Sequence, residues 1–144
     1  MKVRITKLNE NAVIPTYGSL SAAGADLYSC EGEITVKPFE TVLVHTGIAV
    51  EIPEGYAGFI YARSGLASKR NLAPANKVGV IDSDYRGEIM VALHNHGTTE
   101  QTLCAKERIA QLVIAPYIRA DFDEVEALSE TERGSGGFGS TGRI

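Results

Sequence analysis

Glycine and proline interrupt this chain at short intervals, and β-branched residues fill many of the intervals. Such short intervals suit strands rather than long helices. The two-residue alternation of a strand is clear from position 89 to 94. One face of this segment carries Ile89, Val91 and Leu93, and the other carries Met90, Ala92 and His94. The spacing therefore predicts an all-β sandwich or barrel.

The same signals predict the individual elements. The strand-like segments are Val3–Leu8, Gly24–Ser29, Glu33–Lys37, Thr41–Ile52, Gly55–Ala62, Val78–Ile81, Gly87–Asn95, Arg108–Ile118 and Asp121–Ala127. A single short helix is predicted over Ser64–Asn71, with Ser64 as its N-cap, although Gly65 lowers the helix propensity of the first turn.

The chain of 144 residues fits one domain, with no internal repeat and no linker. We expect a single β-domain over residues 1–128. Residues 129–144 contain five glycines and only Phe138 and Ile144 as large apolar groups, too few to offset the entropy of ordering. This segment is predicted to be a mobile arm. Arg133 and Phe138 among glycines suit a flap over a charged, aromatic ligand; a terminus without function is the alternative.

Charge and composition exclude several classes of protein. The net charge is −4, and basic residues are not interleaved with aromatic ones, which argues against nucleic-acid binding. No apolar run approaches the roughly 18 residues of a membrane span, and the N-terminus lacks a signal-peptide pattern. Cys30 and Cys104 show no CxxC spacing, which fits a reducing compartment. We therefore expect a cytoplasmic protein with no membrane partner.

The segment Val78–Met90 reads as strand, polar turn and strand, the pattern of a hairpin. Asp82 and Asp84 stand at its first corner. A carboxylate held by backbone that folds back on itself is suited to aim a water molecule. The alternative is that Asp and Ser simply form the turn.

Two further segments carry candidate ligand contacts. Arg63 and Ser64 lie at the start of the predicted helix, where free N–H groups attract phosphate; a capped helix beside a solvated Arg is the alternative. Gln111 lies in an apolar strand, as a satisfied core amide or as a ligand contact.

The sequence lacks the patterns of several other common functional sites. The glycine-rich end contains no GxxxxGK[ST] and precedes no helix, which excludes a Walker loop. His94 and His96 have no third metal ligand at recognisable spacing and are interpreted as surface histidines. No G-x-S-x-G elbow is present.

Five segments in order resemble the motifs of the trimeric dUTP pyrophosphatases, the dUTPases. They are Ala23–Ser29, Ala62–Ala67, Gly79–Glu88, Glu107–Gln111 and Arg133–Gly142. Their order and spacing are similar to those of the family over almost the whole chain.

The resemblance implies a distorted jelly-roll, or β-clip, barrel with one short helix and a flexible Gly-rich C-terminal arm. It also implies a homotrimer whose active sites combine residues of all three subunits. The implied reaction is hydrolysis of dUTP to dUMP and pyrophosphate with Mg²⁺, which limits uracil in DNA and supplies dUMP for dTTP synthesis.

The matching positions carry the family's roles. By resemblance, Asp82 is the general base that activates water for attack on the α-phosphorus, and Tyr85 packs on the deoxyribose. The resemblance implies substrate contacts from Arg63, Ser64, Gly65, Asn76, Val80, Ile81, Met90, Gln111, Arg133, Phe138, Gly139 and Ser140, with Thr141 as a further phosphate contact. Asp26 resembles a residue that holds the metal's waters and steadies Arg63, without direct metal coordination.

The sequence leaves two alternatives to a dUTP-hydrolysing enzyme. The dCTP deaminases share the fold, but their pattern needs a Glu on the strand after the hairpin, where this chain has Ala92. A dUTPase-fold protein that acts only as a regulator is the second alternative; the presence of Asp82, Tyr85, Arg133 and Phe138 argues against loss of the chemistry.

Overall fold

A computed structural model describes residues 1–137 and contains twelve strands and one short helix within them. The strands are β1 (Arg4–Lys7), β2 (Thr16–Tyr17), β3 (Ala25–Tyr28), β4 (Ile34–Val36), β5 (Thr41–His45), β6 (Ile48–Glu51), β7 (Tyr56–Tyr61), β8 (Leu72–Pro74), β9 (Gly79–Ile81), β10 (Met90–Asn95), β11 (Gln101–Leu103) and β12 (Arg108–Pro116), and the helix is α1 (Ser64–Arg70). The predicted all-β class with one short helix is confirmed.

The strands form four separate antiparallel sheets. The largest has the order β2-β3-β12-β7-β9, and a second has the order β5-β10-β8. Two further pairs are β1 with β6 and β11 with β4. Within residues 1–137 these sheets do not close, so the barrel part of the prediction is wrong. Each pairing ends after a few residues because the chain repeatedly passes from one sheet to another.

The core lies between these sheets and is built by alternating residues. In β10, Val91 and Leu93 are buried while Met90, Ala92 and His94 are partly exposed, as the sequence pattern predicts. Asn95 is also fully buried on the inner face, and its amide donates to the carbonyls of Val36 and Thr99. Its polar groups are thus satisfied rather than unpaired.

The predicted strand Thr41–Ile52 is divided in two by Gly47. This glycine has a φ of +66°, and the strands on either side join different sheets. A Cβ at position 47 would lie 2.8 Å from the Asn9 Cβ and 3.1 Å from the Cys30 Sγ. Glycine is required here both by conformation and by space.

The predicted hairpin at Val78–Met90 is also corrected. Strand β9 pairs with β7, whereas β10 pairs with β5 and β8, so the two arms lie in different sheets. The polar segment between them is therefore a corner between sheets and not the loop of a two-stranded ribbon.

Other predictions fail at short or unpaired segments. Strands β2, β8 and β11 contain two or three residues each, too few for a periodic pattern. The predicted strand Asp121–Ala127 has no strand structure, and Phe122 is 98% exposed. Arg63, not Ser64, occupies the N-cap position of α1, and its side chain caps nothing.

Two general features complete the description. Cys30 is buried and Cys104 exposed, and both are free thiols. Among the helices of residues 1–137, none has the length and apolar character to cross a membrane.

Replacing Gly47 should destabilise the fold more than replacing a glycine that shares only its backbone conformation. We expect Gly47→Ala to lower the free energy of unfolding by more than about 1–3 kcal/mol, the range for backbone strain alone, because the new methyl also meets neighbouring side chains. Gly55 has a φ of +82° and open space around it, so Gly55→Ala is the matched control. Denaturant unfolding of both variants at equal concentration measures the difference; equal losses would show that the crowding at position 47 is unimportant.

Candidate active site

The corner between β9 and β10 presents Asp82 to solvent. The main chain forms a turn here, which is closed by a hydrogen bond from the Tyr85 N–H to the Asp82 carbonyl (3.2 Å). Arg86 fastens the same turn, since its guanidinium donates to the carbonyl of Ser83 (2.6 Å). Asp82 lines a groove of about 1000 Å³ together with Val80, Ser83, Asp84, Arg86 and Phe59, among other residues. The carboxylate is thus held on an ordered turn and remains accessible to a ligand.

Tyr85 lies across the end of this corner. Its hydroxyl donates to the Glu88 carbonyl (2.9 Å), and its ring covers Gly87. A Cβ at Gly87 would lie 2.4 Å from the phenolic oxygen, so only glycine lets the ring approach the backbone this closely. Tyr85 is 40% exposed, so its ring offers an accessible flat surface three residues after Asp82.

The candidate residues for binding a nucleobase lie on β9, on β10 and in the turn before β9. Asn76 lies in the turn before β9, and its amide would be 3.2 Å from a Cβ at Gly79. Val80 and Ile81 belong to the edge strand β9, where Val80 is 59% exposed. Met90 opens β10 opposite His45. Strand β9 is bonded to β7 on one side, so its other edge can offer main-chain groups to a ligand.

A second group of polar residues surrounds Asp26. This carboxylate is only 4% exposed, and each oxygen accepts from a different arginine. Arg63 Nε donates to Oδ1 (2.8 Å), and Arg108 Nη1 donates to Oδ2 (3.1 Å). The two guanidinium groups satisfy the buried charge and together leave a net positive charge at this position.

Arg108 was missed by the sequence reasoning, although it lies inside the Glu107–Gln111 segment. In sequence it is the charged first residue of an apolar strand, which also fits a solvated strand end. Only the pairing of β12 with β3 reveals its role, because Arg108 lies opposite Tyr28 and reaches Asp26 two positions away.

Ser64, Gly65 and Gln111 lie near this arginine pair. Ser64 and Gly65 form the exposed first turn of α1, whose N–H groups receive no side-chain cap. Gln111 is partly buried in β12, with Asp26 opposite on β3 and Tyr61 opposite on β7. Its side chain covers Gly24, where a Cβ would lie 3.2 Å from the Gln111 Cβ.

The two groups of residues lie at opposite ends of β7. Gly58 pairs with Ile81, so Asp82 follows at the Ala57 end of the strand. Gln111 pairs with Tyr61 at the other end, just before Arg63. Six residues of extended chain separate position 57 from position 63, a distance of about 20 Å. One chain therefore does not bring Asp82 and Arg63 around the same phosphate group.

The arm is described only in part. Arg133 is exposed, and its Nε donates to the Gly136 carbonyl (2.8 Å) within its own turn. The expected contacts from Phe138, Gly139, Ser140 and Thr141 lie outside the described residues.

The two histidines of β10 and its following loop do not form a metal site in the part of the chain that the structure describes. Their rings meet edge to face with centroids 4.4 Å apart. His94 Nδ1 shares a hydrogen bond with Thr41 (2.8 Å). Burial together with the charges of Lys77 and His94 lowers the pKa of His96.

Comparison with known proteins places this geometry in a family. The dUTPase family model matches residues 10–142 of the chain. The deoxyuridine 5'-triphosphate nucleotidohydrolase of Nautilia profundicola is 53% identical over 143 residues, which cover 99% of this chain and 100% of that protein. The enzyme of the same name from a Hydrogenobaculum species is 48% identical, with 99% of both chains covered. The chain belongs to the dUTPase family.

Solved structures agree. The dUTPase of Staphylococcus bacteriophage 80alpha, determined with dUPNHPP, superposes with a TM-score of 0.90 at 31% identity and covers 98% of both chains. The dUTPase of phage phi11 superposes with a TM-score of 0.83 at 26% identity, covering 91% of this chain and 100% of that one. The fold is therefore the jelly-roll-like fold of the dUTPases, with the sheets left open as described above.

Removing the Asp26 charge should destabilise the fold. Loss of one partner of a buried ion pair costs about 3–5 kcal/mol, and because Arg108 is half exposed we expect the lower end of that range for Asp26→Asn. The exposed pair Arg4–Glu51 provides the control, since Glu51→Gln should cost less than about 1 kcal/mol. Denaturant unfolding measures both, and an equal effect of the two substitutions would contradict a structural role for the buried carboxylate.

Proposed function

We propose that this member of the dUTPase family hydrolyses dUTP to dUMP and pyrophosphate by attack of an Asp82-activated water on the α-phosphorus. The observation that carries the proposal is an accessible carboxylate on a fixed corner, followed by the ring of Tyr85 three residues on. The high identity to deoxyuridine 5'-triphosphate nucleotidohydrolases over nearly the full length supports the same reaction.

Asp82 acts as the general base in this proposal. Its exposed position leaves it accessible to a water molecule. A carboxylate is a weak base at neutral pH, so holding the water in line with the leaving group contributes much of the effect. The bonds of the Ser83–Arg86 turn supply that fixed aim.

Selection of the nucleoside is assigned to the sheet corner. Tyr85 packs on the deoxyribose and leaves no room for a 2′-hydroxyl. The free edge of β9 at Val80 and Ile81, with Asn76 and Met90 beside it, reads the uracil edge through main-chain groups. A site that hydrogen-bonds a base discriminates strongly, because the wrong base leaves buried polar groups unpaired.

The phosphates are assigned to the positive group around Asp26. Arg63 contributes a charged fork, the first turn of α1 contributes the N–H groups of Ser64 and Gly65, and Gln111 adds an amide. Arg133 and the residues from Phe138 to Thr141 are proposed to close over the nucleotide as the arm, residues 129–144. These contacts allow a protein of net charge −4 to bind a triphosphate.

Mg²⁺ fits this arrangement through the substrate and not through a protein cage. Residues 1–137 contain no group of three metal-ligating side chains, and both oxygens of Asp26 are already bonded to arginines. Mg²⁺ keeps several of its waters and binds readily to phosphate oxygens. When bound, the ion would neutralise charge on the triphosphate. Asp26 would orient its waters and hold Arg63.

A homotrimer with shared sites is the assembly that we propose, and the separation along β7 supports it. Since Asp82 and Arg63 lie at opposite ends of that strand, a complete site needs Arg63 from a neighbouring copy. The segment after β12 also carries exposed apolar residues, with Ile118 94% and Leu128 87% exposed in the single chain. These groups are available for contact with another copy. We propose that the protein is located in the cytoplasm.

Asp82→Asn should abolish dUTP hydrolysis while leaving nucleotide binding largely intact. We expect turnover to fall by about 10²-fold or more, the contribution of a general base. Asp84→Asn is the matched control, because Asp84 lies in the same exposed corner two residues on. Pyrophosphate release measures turnover and calorimetry measures binding; near-normal turnover in Asp82→Asn would refute the assignment.

The same assay separates the alternative enzymes. Pyrophosphate release from dUTP, and not from dCTP, dTTP or UTP, supports the proposal. Ammonia release from dCTP would instead support a deaminase, although Ala92 in the middle of β10 offers no carboxylate there. Absence of any product would support a protein that only binds.

Deleting the arm from Arg133 onward should reduce turnover without changing the assembly. We expect kcat/KM for dUTP to fall by about 10²-fold, since closing segments position the substrate. Removal of Arg143 and Ile144 alone is the control, because these residues lie beyond the family match. Light scattering measures the oligomeric state. Loss of the oligomer in the longer deletion would show that the arm is structural.

A further inference from the structure

The segment that joins the catalytic corner to β10 is fastened to the turn between β5 and β6. Glu88 provides two of the contacts, since Oε1 accepts from the Gly47 N–H (2.7 Å) and Oε2 is bonded to His45 Nδ1 (2.9 Å). The next residue provides two more, because the Ile89 N–H donates to the Ile48 carbonyl and the Thr46 hydroxyl donates to the Ile89 carbonyl. We call this set of contacts between residues 45–48 and 88–89 the clamp.

The clamp is connected directly to Tyr85. The Glu88 carbonyl accepts the phenolic hydrogen bond, while the Glu88 carboxylate holds the chain to the β5–β6 turn. The ring lies on Gly87, immediately before the clamped residue. The position of the ring therefore depends on where the Glu88 main chain is held. The Glu88 side chain is 22% exposed, so these bonds are partly shielded from water.

We infer that Glu88 is a positioning residue, which sets the place of the Tyr85 ring and so the discrimination between dUTP and UTP. The inference rests on the proposed function, in which Tyr85 contacts the sugar. Glu88 itself is assigned no contact with substrate. A displacement of the ring would open space for a 2′-hydroxyl, and a shift of about 1 Å at a positioning group can change rates by about 10²-fold.

The clamp also contains a group that titrates near neutral pH. The hydrogen bond to Glu88 raises the pKa of His45; burial opposes this, and the charges of Glu88 and Glu31 add to it. Burial alone would raise the pKa of Glu88, but bonds from His45 and the Gly47 N–H, with the His45 charge, lower it overall. Cys30 also faces the pair, and burial followed by the charges of Glu88 and Glu31 raises its pKa, so it stays a neutral thiol.

The sign of the pH effect follows from these directions. The contribution of His45 is complete below its unfolded pKa of about 6.5 and is lost as the pH rises through its raised folded pKa. The contribution of Glu88 is lost only in acid, as the pH falls through its lowered folded pKa. Between the two folded pKa values, the clamp is a charged pair.

The test compares kcat/KM for dUTP and UTP in the full-length protein and in Glu88→Ala, Glu88→Gln and Tyr85→Ala. The matched control is Glu31→Ala, because Glu31 also accepts an N–H from His45 (2.8 Å) but makes no hydrogen bond to the 82–90 segment. We expect the dUTP:UTP ratio to fall by about tenfold or more in Glu88→Ala, as in Tyr85→Ala, and to be unchanged in Glu31→Ala. Glu88→Gln keeps an acceptor for Gly47, so it should fold and retain most of the ratio.

Each outcome separates the inference from the function on which it rests. A wild-type protein that releases no pyrophosphate from dUTP overturns the proposed function itself. An active wild type, a lowered ratio in Tyr85→Ala and an unchanged ratio in Glu88→Ala would overturn the inference alone. If Glu88→Ala does not fold, the ratio in Glu88→Gln decides, because this variant loses the charged bond to His45: a ratio below that of Glu31→Ala supports the inference, and an equal ratio overturns it.

The pH dependence provides an independent readout that a purely structural role would not change. The ratio compares two triphosphates with the same ionisation, so titration of the substrate cancels. We expect the wild-type ratio to decrease by about two- to fivefold as the pH rises through the pKa of His45, the range for a partly exposed ion pair. In His45→Gln the ratio should not vary with pH. A wild-type ratio that is equally flat would overturn the titratable part of the inference.

Discussion

Strand β7 is the element on which the rest of the site depends. It is bonded to β12 over six residue pairs on one side and to β9 over three on the other. Backbone ladders of this kind fix residues along the strand with little freedom. Because Asp82 follows β9 and Arg63 follows β7, the two are held at opposite ends of a strand that cannot shorten. The second copy of the chain that we propose for a complete site is thus a consequence of the length of a strand and not of any single side chain.

In this acidic protein, the buried negative charge of Asp26 is neutralised by arginines in direct contact with it. The buried Asp26 would be costly alone, and two arginines satisfy it, one at the N-cap of α1 and one at the start of β12. The carboxylate in turn restricts both guanidinium groups, which reduces the entropy that they would lose on binding phosphate. A phosphate site can therefore exist on a chain with more acidic than basic residues.

Gly47 links the β5–β6 turn to the corner between β9 and β10. Its positive φ divides one predicted strand into β5 and β6 and sends them to different sheets. The same turn exposes the N–H that Glu88 accepts. The residue that prevents a continuous strand thus also provides the anchor for the segment beneath Tyr85. A glycine of this kind can be read in sequence as an interruption, but its partner forty-one positions away cannot.

The sequence alone determined the class of the fold, the short helix and the inner face of β10, because these depend on local spacing of glycine, proline and apolar residues. It also indicated the family, through five segments in order, and the candidate residues Asp82, Arg63 and Tyr85. Tertiary structure decided which strands pair. It placed β9 and β10 in separate sheets, brought Arg108 to Asp26 and joined Glu88 to His45. Local patterns do not specify such contacts, because each joins residues far apart in the chain and depends on how the sheets meet.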